Sequence, residues 1–231
     1  MTTAQPSDDV VGDAWGRALI DHWHGRPVGQ LDLEVDDGDV VPAMHPEWFF
    51  RTEPDWEPEE RRLMALVTDG PVLDLGAGAG RTALHLQQHG MTVTAVESSP
   101  GAAEVCRERG VLDVRLGDLN DPPSDRHWMT VLLLCGNLGL GGSWEGNRRL
   151  LARLAPICGL GALLIGDSVN YQGRAEIALR IRYGSVVTPW WKQRNVAASE
   201  AADLVAGTGW AIEQHLHAAN GFDHYLALRR H

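Results

Sequence analysis

The chain has 231 residues, of which 44% are hydrophobic and 22% are charged, and its formal net charge is −11 at pH 7. These values are ordinary for one sizeable globular domain, while the acidic excess disfavours a partner with a long phosphate backbone, such as a nucleic acid. The three cysteines are far apart and form no CxxC pair, which indicates reduced thiols rather than a zinc knuckle or a disulfide framework.

The sequence shows no sign of a secretory signal or a membrane span. The opening stretch MTTAQPSDDVVGDAW lacks the basic start and the apolar run of a signal peptide. The longest apolar candidate, WMTVLLLCGNLGL, is interrupted by glycines and by Asn137 before it reaches the ~18 residues that a span needs. A cytoplasmic location without a membrane partner is therefore expected.

The N-terminal segment is predicted to form a helical and aromatic cover. Apolar residues are spaced as in a helix over 10–23, and a loop with a short strand around Leu31 to Val35 follows. The stretch EWFFRTEPDWEPEE is aromatic, acidic and interrupted by prolines. A helix is predicted from Pro58, which suits a first helical turn, to about Val67. We interpret residues 1–56 as a lid segment and 57–231 as the main domain.

From Gly70 onward, short apolar runs alternate with helical patterns, which is typical of βαβ units and a parallel sheet. The predicted strands are, in order, PVLDL, MTVTAVE, VLDVRLGD, MTVLLLC and GALLIGDS. The runs VLDL and VLLLC are apolar on both faces, as strands buried within a parallel sheet are.

Beyond GALLIGDS the rhythm changes to a period of two. Ile177, Leu179, Ile181 and Tyr183 alternate with other residues, which predicts a strand or hairpin added to the same sheet. SEAADLVAGTG predicts a helix with Ser199 as its N-cap. WAIEQHLHA and FDHYLALRR predict two closing strands.

The strand VLDL runs into a Gly-x-Gly-x-Gly loop that opens a helix. Gly76 permits a tight turn, Gly78 lets a ligand lie against the main chain, and Gly80 allows close packing. Glu97 lies at the end of the next strand, about 20 residues further on, where an acid can accept hydrogen bonds from ribose hydroxyls. The pattern therefore predicts a site for a nucleoside-containing ligand, although Glu97 could instead cap the following helix.

The negative charge of Asp74 distinguishes between two nucleoside-containing ligands, a dinucleotide and S-adenosylmethionine. A dinucleotide site prefers Gly-x-Gly-x-x-Gly, and Asp74 would place a negative charge beside the pyrophosphate. A carboxylate there suits a cationic group, such as an α-amino group or a sulfonium. The residues thus favour S-adenosylmethionine over NAD.

The stretch VLDLGAGAGRTALHLQQHGMTVTAVESSPGAAEVCRERGV resembles motifs I and II of the class I S-adenosylmethionine-dependent methyltransferases, and RLGDLND resembles their third motif. The resemblance covers about residues 57–230. It implies an α/β Rossmann-like fold with a seven-stranded, mostly parallel sheet of order 3-2-1-4-5-7-6, helices on both faces and an antiparallel seventh strand. It also implies an enzyme of class EC 2.1.1.- that converts S-adenosylmethionine to S-adenosylhomocysteine.

The resemblance also implies a set of cofactor-binding residues. The methionine part would lie along Asp74, Leu75, Gly76, Ala77, Gly78, Gly80 and Arg81. The ribose would lie at Glu97 and Ser98, and the adenine near Gly117, Asp118 and Leu119. Cys135, Gly136 and Asn137 would line the methyl-donor end. Arg51 is either a partner of the cofactor carboxylate or of an acidic substrate group, or a surface arginine.

No single residue stands out as a general base, and transfer to an O-, N- or C-nucleophile needs one only if that atom carries a proton. The catalytic candidates are His45, Asn137 and Asp167, each of which could instead be a loop or capping residue. Metal-dependent catechol O-methyltransferases need an acid after the fourth strand and an adjacent Asp-Asn after the fifth. Here Cys135 and Asn137 take the first place and Asp167 and Asn170 are separated, so no metal is expected.

Aromatic residues flanking the core predict either a packed cover or the walls of a substrate pocket. The candidate substrate-binding residues are Trp48, Phe49, Phe50, Asn170, Trp190 and Trp191. The leading hypothesis is methyl transfer to a small molecule by a monomer or homodimer. The alternative is a protein of this fold that binds S-adenosylmethionine without transferring methyl, such as a cyclase-like enzyme, a sensor or a regulatory subunit. RNA or protein methylation is disfavoured by the acidity of the chain.

Overall fold

The computed structural model describes residues 9–169, 173–218 and 223–231. The strands are β1 (Val10–Val11), β2 (Leu31–Val35), β3 (Val40–Pro42), β4 (Val72–Leu75), β5 (Val93–Glu97), β6 (Asp113–Leu116), β7 (Trp128–Leu133), β8 (Cys158–Ser168), β9 (Glu176–Tyr183), β10 (Val186–Val187), β11 (Trp191–Arg194), β12 (Trp210–His217) and β13 (His224–Arg230). The helices are α1 (Ala14–Trp23), α2 (Pro58–Met64), α3 (Arg81–Gln88), α4 (Pro100–Glu108), α5 (Trp144–Leu154) and α6 (Ala201–Val205).

The main sheet has seven strands in the order β12-β13-β8-β7-β4-β5-β6. The five strands from β8 to β6 are parallel, whereas β13 is antiparallel to both β8 and β12. Read from the other edge, this is the 3-2-1-4-5-7-6 order that the sequence resemblance implies. The predicted fold class is therefore confirmed.

Two apolar cores flank the main sheet because its central strands are buried on both faces. On β4, Leu73 and Leu75 belong to the core shared with α5 and α6, whereas Val72 belongs to the core shared with α2, α3 and α4. This alternation also directs Asp74 to the face covered by α2 and α3. The layers thus place the acid at the end of β4 beside the beginnings of these helices.

A second sheet of six strands, β1-β10-β9-β2-β3 with β11 also paired to β9, lies outside the main one. The predicted strand after GALLIGDS exists as β9, but its predicted attachment to the main sheet is wrong. β9 pairs instead with β2 from the N-terminal segment, with Leu33 opposite Ile181. This sheet takes strands from both sides of residue 56. The division into residues 1–56 and 57–231 stays a prediction.

Two local predictions need correction. The predicted first helix begins only at Ala14, because Val10 and Val11 pair with β10 and the Asp13 side chain caps the helix by accepting the Gly16 N–H. Ser199 is not an N-cap; it lies in a 3-10 turn, and the Glu200 carboxylate accepts the Ala197 N–H at 2.8 Å.

Among the helices described here, none has the length and apolar character that crossing a membrane requires.

Helix α1 docks on α4 through a glycine contact and a shared carboxylate. A Cβ on Gly101 would lie 2.8 Å from the backbone of Gly16, so the two helices meet main chain to main chain. The Asp13 carboxylate accepts the N–H groups of Gly16 and Gly101 and the Ser99 hydroxyl, each at 2.8 Å at its nearest oxygen. One acid therefore stabilises the N-terminal ends of both helices and ties the N-terminal segment to the main domain.

Replacing Gly101 with alanine should destabilise the protein by about 1–3 kcal/mol, because the added methyl group must separate two packed backbones. Urea unfolding measures this loss. The matched control is Gly29→Ala, where the added Cβ would meet only the Tyr183 ring at 3.6 Å. Equal stability of Gly101→Ala and wild type would show that α1 does not pack on α4 in this way.

Candidate functional site

The carboxyl ends of β4, β5, β7 and β8 bring the predicted cofactor residues together, as the crevice of an open parallel sheet should. The Asn137 amide, just after β7, donates to the main-chain oxygens of Leu75 at 2.9 Å and Gly76 at 3.3 Å. Gly76 has a φ of +76°, and a Cβ there would lie 2.3 Å from that amide nitrogen. Asn137 thus fixes the start of the glycine loop, and its part in catalysis stays a prediction.

At the end of the glycine loop, other side chains leave no room for a Cβ on Gly80. A Cβ on Gly80 would lie 2.8 Å from Val111 and 2.9 Å from the Cys106 sulfur. The Cys106 thiol also donates to the Gly78 oxygen at 3.0 Å. Gly80 therefore lets the start of α3 lie against Cys106 of α4 and against Val111, whereas the sequence predicted close packing of the helix on the sheet at this glycine.

Glu97 is the acid that holds the middle of the loop. Its Oε2 accepts the Gly78 N–H at 2.7 Å and its Oε1 accepts the Ser99 N–H at 2.9 Å. The side chain is buried, and that burial raises the pKa of its carboxyl. Glu97 thus ties the loop to the start of α4, whose N-cap is Ser99 because its hydroxyl accepts the Ala102 N–H. Ribose binding by Glu97 stays a prediction.

Asp74 lies beneath the same loop. Its Oδ2 accepts the Thr82 hydroxyl at 2.7 Å, and burial raises the pKa of its carboxyl to about 6. Three other members of the predicted cofactor set make main-chain bonds to β5: the N–H groups of Gly76 and Ala77 donate to the Val96 oxygen, and that of Gly117 donates to the Glu97 oxygen.

Arg81 is the first residue of α3 and the centre of a buried cluster. Its Nη2 lies 2.8 Å from the Glu60 carboxylate and 3.7 Å from the Cys135 sulfur. The guanidinium carbon lies 4.1 Å from the ring centre of Trp48 and 4.9 Å from that of Trp56. Nη1 is buried and has no hydrogen-bond partner within residues 9–169, 173–218 and 223–231. An unpaired buried donor of this kind fits an anionic ligand group.

Glu60 is a site residue that the sequence reasoning missed. A signal was present, because Glu60 precedes Leu63, Met64 and Val67 by three, four and seven residues, the spacing of one helix face. An acid on the apolar face of a helix needs a buried partner. The identity of that partner, Arg81, depends on how α2 packs against α3.

Asp167, the last residue but one of β8, supports the turn after β7. Its Oδ2 accepts the Gly136 N–H at 2.9 Å, and burial raises the pKa of the carboxyl to about 7. The neighbouring Cys135 has a φ of +63°, which is unfavourable for a residue with a side chain. Asp167 therefore stabilises a strained turn, and its predicted catalytic part is not tested by this contact.

Replacing Asp167 with asparagine should stabilise the protein relative to wild type increasingly as the pH rises from about 4 to 7. The folded state keeps the Asp167 proton up to about pH 7, whereas the unfolded chain releases it near 3.8. This group's stabilising contribution is therefore lost as pH rises. Asparagine cannot ionise and keeps an oxygen for the Gly136 N–H.

Urea unfolding of both proteins across this pH range checks the prediction. Asp121→Asn is the control, because the Asp121 side chain is 90% exposed. A stability difference between Asp167→Asn and wild type that does not change with pH would contradict the raised pKa.

The aromatic segment of residues 46–50 covers the glycine loop. A Cβ on Gly78 would lie 3.5 Å from the Phe49 ring. Phe49 and Phe50 pack with a cluster of α1 and α4 residues, and the Arg109 guanidinium lies 4.6 Å from the Phe50 ring centre. Trp48 contacts Arg81. The structure thus assigns all three rings to the cover, and their contact with a substrate stays a prediction.

Several predicted residues lie apart from this cluster. Arg51 is exposed, and its carbonyl accepts the Trp56 indole N–H at 3.2 Å. The His45 side chain is 59% exposed and accepts the Glu47 N–H at 3.3 Å. Ser98 and Asp118 are exposed and Leu119 is buried; the Asp118 carboxylate accepts the Asn120 N–H at 2.7 Å.

Trp190 and Trp191 diverge although they are neighbours in sequence. Trp190 is 47% exposed and stacks at 4.8 Å on Arg180, whereas Trp191 packs against Val35, Ile177 and Leu179. Asn170 lies outside the described residues. Within the part of the chain that is described, no three histidine, cysteine, aspartate or glutamate side chains are arranged to hold a metal ion.

Comparison with known proteins agrees with this arrangement. A model of the methyltransferase domain family matches residues 72–158. The fold is similar to that of an S-adenosylmethionine-dependent methyltransferase from Bacteroides fragilis solved with S-adenosylhomocysteine, with 24% identity, coverage of 99% of this chain and 98% of that one, and a TM-score of 0.83. A search of curated proteins gives no significant match.

Two further solved structures are more distant. The CcbJ methyltransferase from Streptomyces caelestis is 15% identical, with coverage of 78% of this chain and 92% of that one and a TM-score of 0.62. The glycopeptide N-methyltransferase MtfA, solved with S-adenosylhomocysteine, is 18% identical, with coverage of 74% and 87% and a TM-score of 0.57. At these identities the likeness establishes the fold and leaves the acceptor open.

The family match spans β4 to the start of β8, and so includes the glycine loop, Glu97 and the turn that contains Asn137. The strand order of the main sheet is the one that motifs I and II imply. Residues 72–158 thus match the methyltransferase domain family, and the chain as a whole shares the fold of the solved S-adenosylmethionine-dependent methyltransferases.

Proposed function

We propose that the enzyme transfers the methyl group of S-adenosylmethionine to a small-molecule acceptor without a metal ion. The observation that supports this most is the charge arrangement around the glycine loop. Asp74 lies under the loop, Glu97 lies at the end of β5, and the unpaired Nη1 of Arg81 lies near Cys135. An α-ammonium, a ribose and an α-carboxylate would each meet a group of fitting chemistry.

Each protein group keeps capacity for the cofactor. A carboxylate oxygen has two lone pairs, so Glu97 can accept ribose hydroxyls while it holds Gly78 and Ser99. We assign the cofactor ammonium to Asp74 and the cofactor carboxylate to Arg81, in place of the exposed Arg51. The exposed Asp118 carboxylate, at the end of β6, is the candidate for the adenine amino group.

S-adenosylmethionine supplies an electrophilic methyl group on a positively charged sulfur. Since charge is dispersed as a nucleophile displaces the sulfur, the protein's contribution is to align the two partners and to exclude water. Trp48 and Phe49 exclude water over the loop, and Asn137 holds the loop in place. Asp167 and His45 are the candidate proton acceptors for an acceptor atom that carries a proton.

A small acceptor fits the chain better than a polymer. The net charge of −11 opposes a nucleic acid. MtfA, which shares the fold, is named a glycopeptide N-methyltransferase, so a nitrogen nucleophile is one possibility for this enzyme alongside oxygen and carbon. A monomer or a homodimer is proposed.

Calorimetric titration with S-adenosylhomocysteine tests the cofactor assignment, and we expect one site per chain. A folded protein that binds none would overturn the proposal. Incubation with S-adenosylmethionine and a panel of small amines, phenols and carbon acids then tests transfer, because S-adenosylhomocysteine accumulates only if methyl moves. Binding without accumulation across the panel would favour the alternative, a protein that holds the cofactor without transferring methyl.

A further inference from the structure

The second sheet has one polar and one apolar face. Arg180 and Arg182 on β9 form ion pairs with Glu34 on β2, and these residues define the outer face. The alternate residues define the inner face, which includes Leu33, Val35, Ile177, Leu179 and Ile181. Val35, Ile177 and Leu179 are buried, whereas Leu33 and Ile181 are only partly buried. The middle of this apolar face is therefore partly accessible.

Strand β11 brings the inner face to the methyl-donor end of the site. Trp191 and Gln193 lie opposite Leu179 and Ile177, so their side chains share the inner face. The Gln193 amide nitrogen lies 3.4 Å from the position of a Cβ on Gly136, and its Cγ lies 3.2 Å from that on Gly139. Gly136 belongs to the turn between Cys135 and Asn137, so the inner face lies beside that turn.

Among the residues that the structure describes, one buried donor on the inner face has no hydrogen-bond partner: the Nε1 of Trp191. The indole groups of Trp56, Trp128 and Trp210, which are also buried, donate to main-chain oxygens at 3.2, 2.9 and 2.9 Å. An unmade hydrogen bond in a buried place is costly. Trp191 is thus the exception that a ligand atom would satisfy.

We propose that the inner face of the second sheet is the acceptor-binding wall of this enzyme, and that the acceptor is a largely apolar ring compound with a hydrogen-bond acceptor atom directed at Trp191 Nε1. This inference rests on the proposed function. The apolar residues around Ile181 take the ring, and the orphan N–H selects for the acceptor atom. Trp190, on the outside, takes no part.

Fluoroquinoline and fluoronaphthalene are the probes, because they share shape and differ in a ring nitrogen that accepts a hydrogen bond. Fluorine NMR measures their binding to the protein saturated with S-adenosylhomocysteine. We expect fluoroquinoline to bind wild type roughly 3- to 10-fold more tightly than fluoronaphthalene, as one neutral hydrogen bond would allow. Trp191→Phe should abolish that preference, and the control Trp190→Phe should retain it.

Either of two results would overturn the inference: no fluoroquinoline binding to the loaded wild type, or an unchanged preference in Trp191→Phe. A failed titration with S-adenosylhomocysteine would instead count against the proposed function itself, so the two failures are distinct. If Trp191→Phe does not fold, the indole N–H proton NMR signals of wild type test the inference instead. One of them should move downfield with fluoroquinoline and none with fluoronaphthalene; no such movement contradicts the proposal.

Discussion

Replacement of Glu97 with alanine should weaken the binding of S-adenosylhomocysteine by about 10- to 100-fold, the loss expected for hydrogen bonds to a charged group. Two effects act together. The proposed ribose contacts disappear, and the Gly78 and Ser99 N–H groups lose the carboxylate that holds them at 2.7 and 2.9 Å. The loop and the start of α4 would then no longer be fixed relative to each other.

Titration calorimetry measures the affinity, and urea unfolding shows how much of the loss comes from stability. Glu104→Ala is the matched control, since Glu104 is an exposed acid on α4. The affinity of Glu97→Gln for S-adenosylhomocysteine should lie between those of wild type and Glu97→Ala, because its amide oxygen can still accept one of the two N–H groups. If Glu97→Ala binds S-adenosylhomocysteine as wild type does, the ribose site lies elsewhere.

The main sheet could be predicted from the sequence because its information is local. Each buried strand is a short apolar run, and the glycine loop and Glu97 lie at a fixed spacing along one βαβ unit. The charge of Asp74 added the choice of ligand. None of these inferences needed knowledge of which distant segments touch. The structure confirms the strands and their order, the comparisons support the cofactor, and the part that Glu97 plays in binding stays a prediction.

The second sheet could not be predicted in the same way. The alternation at Ile177 to Tyr183 correctly indicated a strand, but a period of two does not identify the partner strand. That partner is β2, around Leu33, which is remote in sequence. In the main sheet the neighbour of β8 on that side is β13 and not β9, the next strand along the chain.

The contacts at helix ends and the buried ion pair could not be predicted from the sequence for a related reason. In the sequence Asp13 is one acid among several, yet it caps α1 and also accepts the Gly101 N–H at the start of α4, because Gly16 and Gly101 let the helices touch. Glu60 is similar, since its buried partner Arg81 comes from another helix and itself contacts the rings of Trp48 and Trp56. Such multiple contacts arise only when separate segments pack together.

Replacement of Arg81 with methionine should destabilise the protein by about 3–5 kcal/mol, the usual cost of leaving one member of a buried ion pair alone. Glu60 and Arg81 are 2% and 6% exposed, so water cannot replace the lost partner. The contacts of the guanidinium with Trp48 and Trp56 disappear as well. The cover should therefore loosen, and protease cleavage within residues 46–56 should become faster.

The stability lost in Arg81→Met should also depend on pH, whereas the stability lost through a packing defect alone would not. Burial already raises the pKa of Glu60 above 4.5 while Arg81 opposes the shift. Without Arg81 the pKa rises further, so the folded state of Arg81→Met holds a proton that the unfolded chain releases. Stability relative to wild type should then fall as pH rises from about 4.5, and urea unfolding at several pH values would show it.

A double variant completes the test. Glu60→Met with Arg81→Met removes both charges, so it should be less destabilised than the sum of the two single variants, because no buried charge remains unpaired. Arg153→Met is the control, since its ion pair with Asp121 is exposed and should matter little. Additive losses in the double variant, together with a loss in Arg81→Met that does not vary with pH, would show that Glu60 and Arg81 are not coupled and that the cover is held on the loop by its rings alone.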